Sequence, residues 1–271
     1  MSLLKWYCVG AAIVLTACAS TASDQNAAVL KELAPTGKLR VAIGVSPAPS
    51  AFYATKDEKT GQYRGVTVEL GTALAQKLGV PAEFVPYLAS GEIQAAANNG
   101  VWDVTFMPVD EQRKKIVDFG APYHLLQSTY LVAGSSTITS IADANAAGVR
   151  IVGVADTATF RASNRASPNA THIAVAGVDA AIAMMRDGQA DAIALGRESL
   201  SGVAPKVPGS RILEGGFLNS TTAVAVPKGK PVALAYVSAF VEEAKASGLV
   251  RRAFESVGLK NAVVAPAGMQ P

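Results

Sequence analysis

The sequence predicts an α/β protein of about two domains, and three observations carry that expectation. The chain has 271 residues, and at roughly 150 residues per domain that suggests two. Half of it is hydrophobic and only 17% is charged, too apolar for a disordered chain. Short β-branched runs alternate with stretches of helical spacing, which implies crossover connections and largely parallel sheets.

The elements follow in order. Leu39 to Val45, opened by Gly37-Lys38, reads as a buried strand. Ser46 to Ser50 is a Pro-containing loop ahead of Phe52 and Tyr53, and Asp57 to Gly61 is a turn. Val66 to Leu78 carries a helical stripe (Val66, Leu70, Ala73, Leu74, Leu78) stopped by Gly79. Pro81 to Pro86 is a short strand. Ser90 caps a helix with Ile93 and Ala97 inward, ended by Asn99-Gly100, and Val101 to Met107 is a strand. The rhythm then returns. Ser140 caps a short helix, Val149 to Val154 is a strand, and Asp156-Thr157-Ala158-Thr159 opens a helix to Ala166. His172 to Val175 and Asp191 to Leu195 are strands on either side of a helix over Val178 to Arg186. Thr222 to Val226 is one more strand. Lys230 to Ser247 and Gly248 to Val257 are closing helices, the first with an apolar Val232/Tyr236/Phe240 face. The rhythm occurs once before residue 130 and once after, as two α/β units plus a C-terminal segment. There is no short internal repeat.

The N-terminus reads as an address. Residues 1–23 hold one charge, Lys5, and no acid, and Trp6 to Ala17 is mostly apolar. That run is too short to span a bilayer as a helix and suits a secretory signal. Leu15-Thr16-Ala17-Cys18 resembles the lipobox of bacterial lipoproteins, which implies lipidation at Cys18. Ordinary cleavage at Ala17-Cys18-Ala19 is the competing reading. Residues 1–17 are assigned to the signal and 18–36 to a flexible leash, because Ser20 to Asn26 is small and polar.

Composition excludes several classes. The net charge is +3, and +2 once Lys5 leaves with the signal, with no basic cluster longer than Arg113-Lys114-Lys115; no nucleic-acid partner is expected. Two histidines (His124, His172) and two cysteines (Cys8, Cys18) exclude a multi-histidine metal centre, a zinc ribbon and a disulfide scaffold. Both histidines read as ordinary surface or core residues. No dinucleotide, Walker or nucleophile-elbow motif is present, and nothing pairs a nucleophile with a base. No enzyme activity and no cofactor are expected.

Four segments in one order carry a resemblance: Lys38-Leu39-Arg40-Val41-Ala42, then Gly65 to Leu70 leading to Leu78-Gly79-Val80, then Gly100-Val101-Trp102-Asp103-Val104, then Arg113 to Tyr123. With Gly148 to Asp156 and Asp187 to Ala192, the set resembles the periplasmic solute-binding protein family 3, over about residues 37–258. The resemblance implies a two-lobed type II periplasmic binding fold. Each lobe is a mainly parallel sheet flanked by helices, and two crossing strands join them near Ser128 to Val132 and Thr222 to Val226. Lobe 1 would be 37–128 plus 226–271, and lobe 2 132–221.

It also implies site residues. Arg113 takes the position whose guanidinium forks onto a ligand carboxylate. Asp110 stands where the family has Thr or Ser; it either contacts the ligand or only caps the turn, pointing away. Thr157 and Thr159 lie in the helix-start turn that meets the same carboxylate, with Asp156 replacing the usual glycine. Gly196 stands where amino-acid binders carry the acid that pairs with the α-ammonium. Either Glu198 serves with a two-residue shift, or the α-ammonium partner is missing and the ligand is no standard amino acid. Arg197 suggests a second anionic group, and both residues read equally as caps of the next helix. Phe52 is the aromatic wall; Gln127 and Ser128 are weaker candidates.

The function implied is capture of a small polar, carboxylate-bearing solute, an amino acid or a relative, and its delivery to ABC permease subunits of the inner membrane. The protein would be a monomer in the periplasm or at the outer face of a membrane, touching the membrane only through a lipid anchor. The alternatives are a cleft enzyme of the same fold, cyclohexadienyl dehydratase-like, with Glu198 or Asp110 as general acid, and a sensor acting through a partner.

Overall fold

A computed structural model describes residues 25–271. The leader 1–17, Cys18 and the first part of the expected leash lie outside the described residues. The rest of that leash is not a leash: residues 25–33 form helix α1. Val29 and Leu33, one turn apart, are buried against the core. Glu32 Oε2 accepts the Ala233 N–H at 2.8 Å, and its carbonyl accepts from Lys230 Nζ at 2.9 Å. The apolar trio Val29, Leu30 and Leu33 sits at helical spacing and outweighs the polar residues before it.

The first half is built on strand β1 (Leu39–Val45), which pairs in parallel with β2 (Tyr53–Lys56), β4 (Ala82–Tyr87) and β5 (Val104–Pro108). A short β3 (Tyr63–Arg64) closes a hairpin on β2. Parallel strands are covered on both faces, which is why β1 is apolar at nearly every position. Helix α2 (Val66–Leu78) buries Val66, Leu70, Leu74 and Leu78, and Gly79, left-handed at φ 71°, caps it. Helix α3 spans Ser90–Ala95; its N-cap is Ala89, not Ser90, whose hydroxyl is engaged elsewhere.

The second half repeats the plan. Strand β7 (Arg150–Val154) lies between β8 (Thr171–Val175) and β9 (Ala192–Gly196), all parallel. Helices α4 (Ala158–Ala166), α5 (Val178–Arg186) and α6 (Arg197–Val203) follow their strands. No helix forms after Ser140. Asp143 accepts from the backbone of Thr139 and Ser140, Ser140 Oγ accepts from Asp143 N, and the segment ends as turns.

Two long strands join the halves. β6 (Val117–Val132) and β11 (Leu218–Pro227) pair antiparallel from Val117/Pro227 to Ser128/Leu218. β6 then continues along β9, and β11 along β5. With β10 (Arg211–Ile212) and β12 (Val263–Val264) on β6, the twelve strands of the described residues make one hydrogen-bonded sheet. The β6–β11 register slips on either side of Ala223, a bulge that turns the strands where the halves meet. Both strands are longer than the sequence pattern suggested. Gly120 and Pro122 interrupt β6 in the sequence, yet Pro122 falls at the bulge, where a missing N–H is tolerated. A side chain at Gly120 would strike Ser238 and Val224.

Helices α7 (Pro231–Ala246) and α8 (Leu249–Ser256) return to the first half. α7 buries Ala233, Val237, Phe240, Val241 and Ala244, a stripe offset from the expected Val232/Tyr236/Phe240 face; Val232 is 37% exposed.

Each half carries the same fork. Asp103, just before β5, takes the backbone N–H of Arg40 at 3.0 Å and its guanidinium at 2.9 and 2.7 Å. Asp191, just before β9, takes the N–H of Arg150 at 2.8 Å and its guanidinium at 3.1 and 2.8 Å. Bidentate charge-assisted pairs of this kind fix both distance and orientation.

Candidate solute-binding cleft

The halves meet at the carboxyl ends of β1, β5, β7 and β9, where open α/β sheets place their ligands. The cavity there has a volume of about 40 Å³, room for a few water molecules. The two halves touch around it. Lys206 Nζ reaches the Pro47 carbonyl at 3.1 Å, and Ser128 Oγ lies 3.1 Å from Thr159 Oγ1.

The first half supplies an aromatic wall. Phe52 and Tyr53 pack edge to face with centroids 4.6 Å apart. Ser50 Oγ accepts the N–H groups of both, at 3.2 and 2.8 Å, and sets the turn. Gly44 lies directly under the Phe52 ring; a Cβ there would meet it at 2.4 Å. Burial pushes the Tyr53 hydroxyl well above its ordinary range, with Arg113 opposing and Glu92 adding to the rise. Phe52, the aromatic wall of the resemblance, lines the cavity.

Arg113 is fully buried just behind that wall. It begins a 3-10 turn (Arg113–Lys115) capped by Asp110 Oδ1, which accepts the N–H groups of Gln112 and Arg113 at 2.9 and 3.0 Å. Nη2 donates to Ser90 Oγ at 2.6 Å and to the Asp156 carbonyl at 3.3 Å, Nη1 to the Pro108 carbonyl at 2.7 Å, and Nε to Gln94 Oε1 at 3.4 Å. Burial lowers its pKa to about 10, so it stays charged at neutral pH. Ser90 and Pro108 line the cavity while Arg113 stands one hydroxyl behind them.

Asp110 does not line the cavity. Its Oδ2 pairs with Arg161 of α4 in the other half, and Arg113 Nε stands 3.8 Å away. Of its two sequence readings, the structure has the cap pointing away, with an added partner across the cleft. Arg197 is also turned away, bonded to Gln127 Oε1 at 2.7 Å and to the Leu213 carbonyl at 2.9 Å, and is not part of the cavity wall. Gln127 goes with it.

From the second half come Thr157, Thr159 and Glu198. Thr157 caps α4, accepting from Phe160 N at 3.1 Å and donating to the Val154 carbonyl at 2.8 Å. Its hydroxyl is spent on the turn, so α4 offers the cavity its first N–H groups. Asp156 is left-handed at φ 54°, a conformation costly for a residue with a side chain. Its carbonyl is what Arg113 holds.

The floor is the bulged pair of strands. His124 and Thr222 face each other across β6 and β11. His124 is fully buried, with Nδ1 3.2 Å from Thr222 Oγ1 and Nε2 3.2 Å from Glu198 Oε1. From the sequence this histidine reads as ordinary, and Thr222, Ser50 and Ser90 are not legible as cavity residues. A lone His or Thr carries no spacing signal; only the strand register brings them to the site.

Among the described residues no helix is long and apolar enough to cross a membrane. The chain belongs to the bacterial extracellular solute-binding proteins, family 3, whose sequence model matches residues 39–257. It is 24% identical over 209 residues to a glutamine-binding protein of Geobacillus stearothermophilus, covering 73% of this chain and 76% of that one. It is 22% identical over 253 residues to the ABC transporter glutamine-binding protein GlnH of Bacillus subtilis (strain 168), covering 88% and 89%. Its fold matches an ancestral amino acid-binding protein, AncCDT-1, a precursor of cyclohexadienyl dehydratase, with a TM-score of 0.72, 28% identity and coverage of 84% and 98%. The architecture is therefore the two-lobed type II fold of these binding proteins.

Proposed function

We propose that the cleft captures a small solute bearing a carboxylate and an ammonium, an amino acid or a close relative, and that the closed protein hands it to an ABC permease. The lobes taking part are 37–128 plus 226–271 and 132–221. The protein acts outside the cytoplasmic membrane as a monomer, held by a lipid at Cys18 or free. The observation that carries the reading is that one cavity has a carboxylate on its wall and, on another side, a guanidinium one hydroxyl behind that wall. Among the described residues, Glu198 is the only carboxylate on its wall. The opposite chemistry comes from Ser90, backed by the Arg113 guanidinium, and from the start of α4. Glu198 suits an ammonium, and Arg113 with the helix N-terminus suits a carboxylate. The relatives named as glutamine-binding proteins support the same class. Solute contacts to both lobes stabilise the closed form, and no bond to the solute need be made or broken.

A second reading has one observation behind it. Glu198 is hydrogen-bonded to the buried His124 beside a small cavity, a setting suited to a general acid. One experiment separates the two: a thermal-shift screen of amino acids, dicarboxylates, opines and aromatic acids, with product analysis on each hit. The expected result is stabilisation of about 2.7 kcal/mol at a hundred times Kd, with no product. Arg113→Met and amidation of the solute's carboxylate are each expected to remove the shift. An amide that stabilises as well as the acid overturns the carboxylate grip, and turnover moves the reading to an enzyme.

A further inference from the structure

We infer that His124 is a positioning residue that makes the cleft's hold on an ammonium group depend on pH. The inference rests on reading the cavity as the solute site. His124 is fully buried in the middle of β6, and both it and Glu198 border the cavity. Its ring makes two hydrogen bonds, to Thr222 Oγ1 and Glu198 Oε1, both at 3.2 Å.

Other groups reach the ring or its partner from α6, α8, β11, β12 and the far side of the cavity. From α6 the ring meets Glu198 alone, since Arg197 is tied to Gln127 and to loop carbonyls. From α8 it meets Phe254, edge on at 5.5 Å, whose ring also carries Arg251 at 5.7 Å. From β12 it meets the Val264 backbone, and from β11 Thr222. Lys260, in the loop between α8 and β12, shares an adjoining crevice with Glu198. On the cavity's far side stand Tyr53 and, behind Ser90, Arg113.

With Glu198 ionised, two proton arrangements satisfy this geometry. With a neutral ring, the Thr222 hydroxyl donates to Nδ1, which places the ring proton on Nε2, and Nε2 donates to Glu198. Glu198 is then aimed with its negative charge unspent, ready for a solute ammonium. With a second proton, Nδ1 donates to Thr222 instead, and a positive charge stands within hydrogen-bond distance of Glu198. The imidazolium neutralises the acid that the ammonium needs and repels the ammonium itself. Proton and ammonium therefore compete, and the coupling is reciprocal: solute binding expels the proton. A single linked proton weakens binding by up to about tenfold per pH unit. A carboxylate lacking the amine does not share that loss.

The test uses the purified protein, the twenty protein L-amino acids, and the des-amino acid of each that binds, in calorimetric titrations at pH 8 and pH 5. The wild type is expected to bind the amino acid at least tenfold more weakly at pH 5, with the des-amino acid unaffected or tighter. His124→Gln keeps a donor for Glu198 but takes no charge, so it is expected to bind within a few-fold at both pH values; His124→Asn replaces it should the Gln variant not fold. Wild-type titrations at pH 6 in two buffers of different ionisation enthalpy are expected to show proton release. Equal wild-type affinity at the two pH values, an unchanged pH profile in the variant, or a parallel loss for the des-amino acid overturns this role for His124 and leaves the solute site standing. Failure of every amino acid to bind overturns the solute reading and this role with it.

Discussion

Asp110→Asn isolates one contact across the cleft. Asparagine caps a turn as well as aspartate does, so the hydrogen bonds to Gln112 and Arg113 N–H are kept. What goes is the charge shared with Arg161 of α4 and the 3.8 Å approach to Arg113 Nε. The Asp110 and Arg161 side chains are 16% and 18% exposed, between a surface pair and a buried one. That places the pair at about 1–2 kcal/mol, or roughly 5–30-fold in affinity. The pair bridges the two halves, so the loss is expected in solute affinity, with the melting temperature of the solute-free protein nearly unchanged. Burial pushes the Asp110 carboxyl up, but the Arg113 N–H and the Arg113 and Arg161 charges outweigh it and hold the carboxyl below its ordinary value. A depressed carboxyl contributes fully above the unfolded value of about 3.9 and loses its contribution as pH falls through the folded value, so the whole effect is present at pH 7. The assay is a double-mutant cycle of Asp110→Asn and Arg161→Met on solute affinity. Strictly additive single effects, or a gain in affinity on removing Asp110, would refute the reasoning.

The remaining predictions concern close approach, the forks and acid. A Cβ at Gly91 would meet Asp156 Cβ at 2.5 Å, and one at Gly202 would meet Ala48 Cβ at 2.6 Å, both across the cleft. Gly91→Ala and Gly202→Ala are therefore expected to cost about 1–3 kcal/mol in the closed form alone, read as weaker solute binding with unchanged melting of the solute-free protein. Asp103 is fully buried in its fork while Asp191 is 32% exposed. Asp103→Ala is expected to cost about 3–5 kcal/mol and Asp191→Ala about 1 kcal/mol in urea unfolding; equal losses would contradict the burial argument. Hydrogen bonds from Thr139 and Ser140 lower the Asp143 carboxyl to about 2. Its contribution is complete above the ordinary value near 4 and lost between there and about 2, so wild type and Asp143→Asn are expected to converge in stability at pH 2 and to differ at pH 6.

Much of the fold was legible in the sequence. The helices over Val66–Leu78 and Val178–Arg186 announce themselves by period, and so do the runs at β1, β7 and β9. The cleft residues Phe52, Thr157, Thr159 and Glu198 followed from family register, and all four border the cavity. The long strand β6 was hidden because Gly120 and Pro122 read as punctuation, and only the bulge opposite Ala223 accommodates them. His124 was hidden for a different reason: its partners Thr222 and Glu198 lie 98 and 74 residues away. Helix α1 was masked by the polar residues that precede its apolar trio. That Arg113 stands behind Ser90 is a matter of side-chain packing, which no spacing rule encodes.

The paired forks divide the work along each strand. Asp103 and Asp191 grip the strands at their amino ends, whereas the cavity is built at their carboxyl ends. One rim of each sheet holds the architecture together and the other builds the cavity, with the length of a strand between them. Residues such as Phe52, Ser90 and Glu198 on the cavity wall can therefore be exchanged while the opposite rim keeps the sheet locked. A scaffold divided in this way is well placed to change its cargo without being rebuilt.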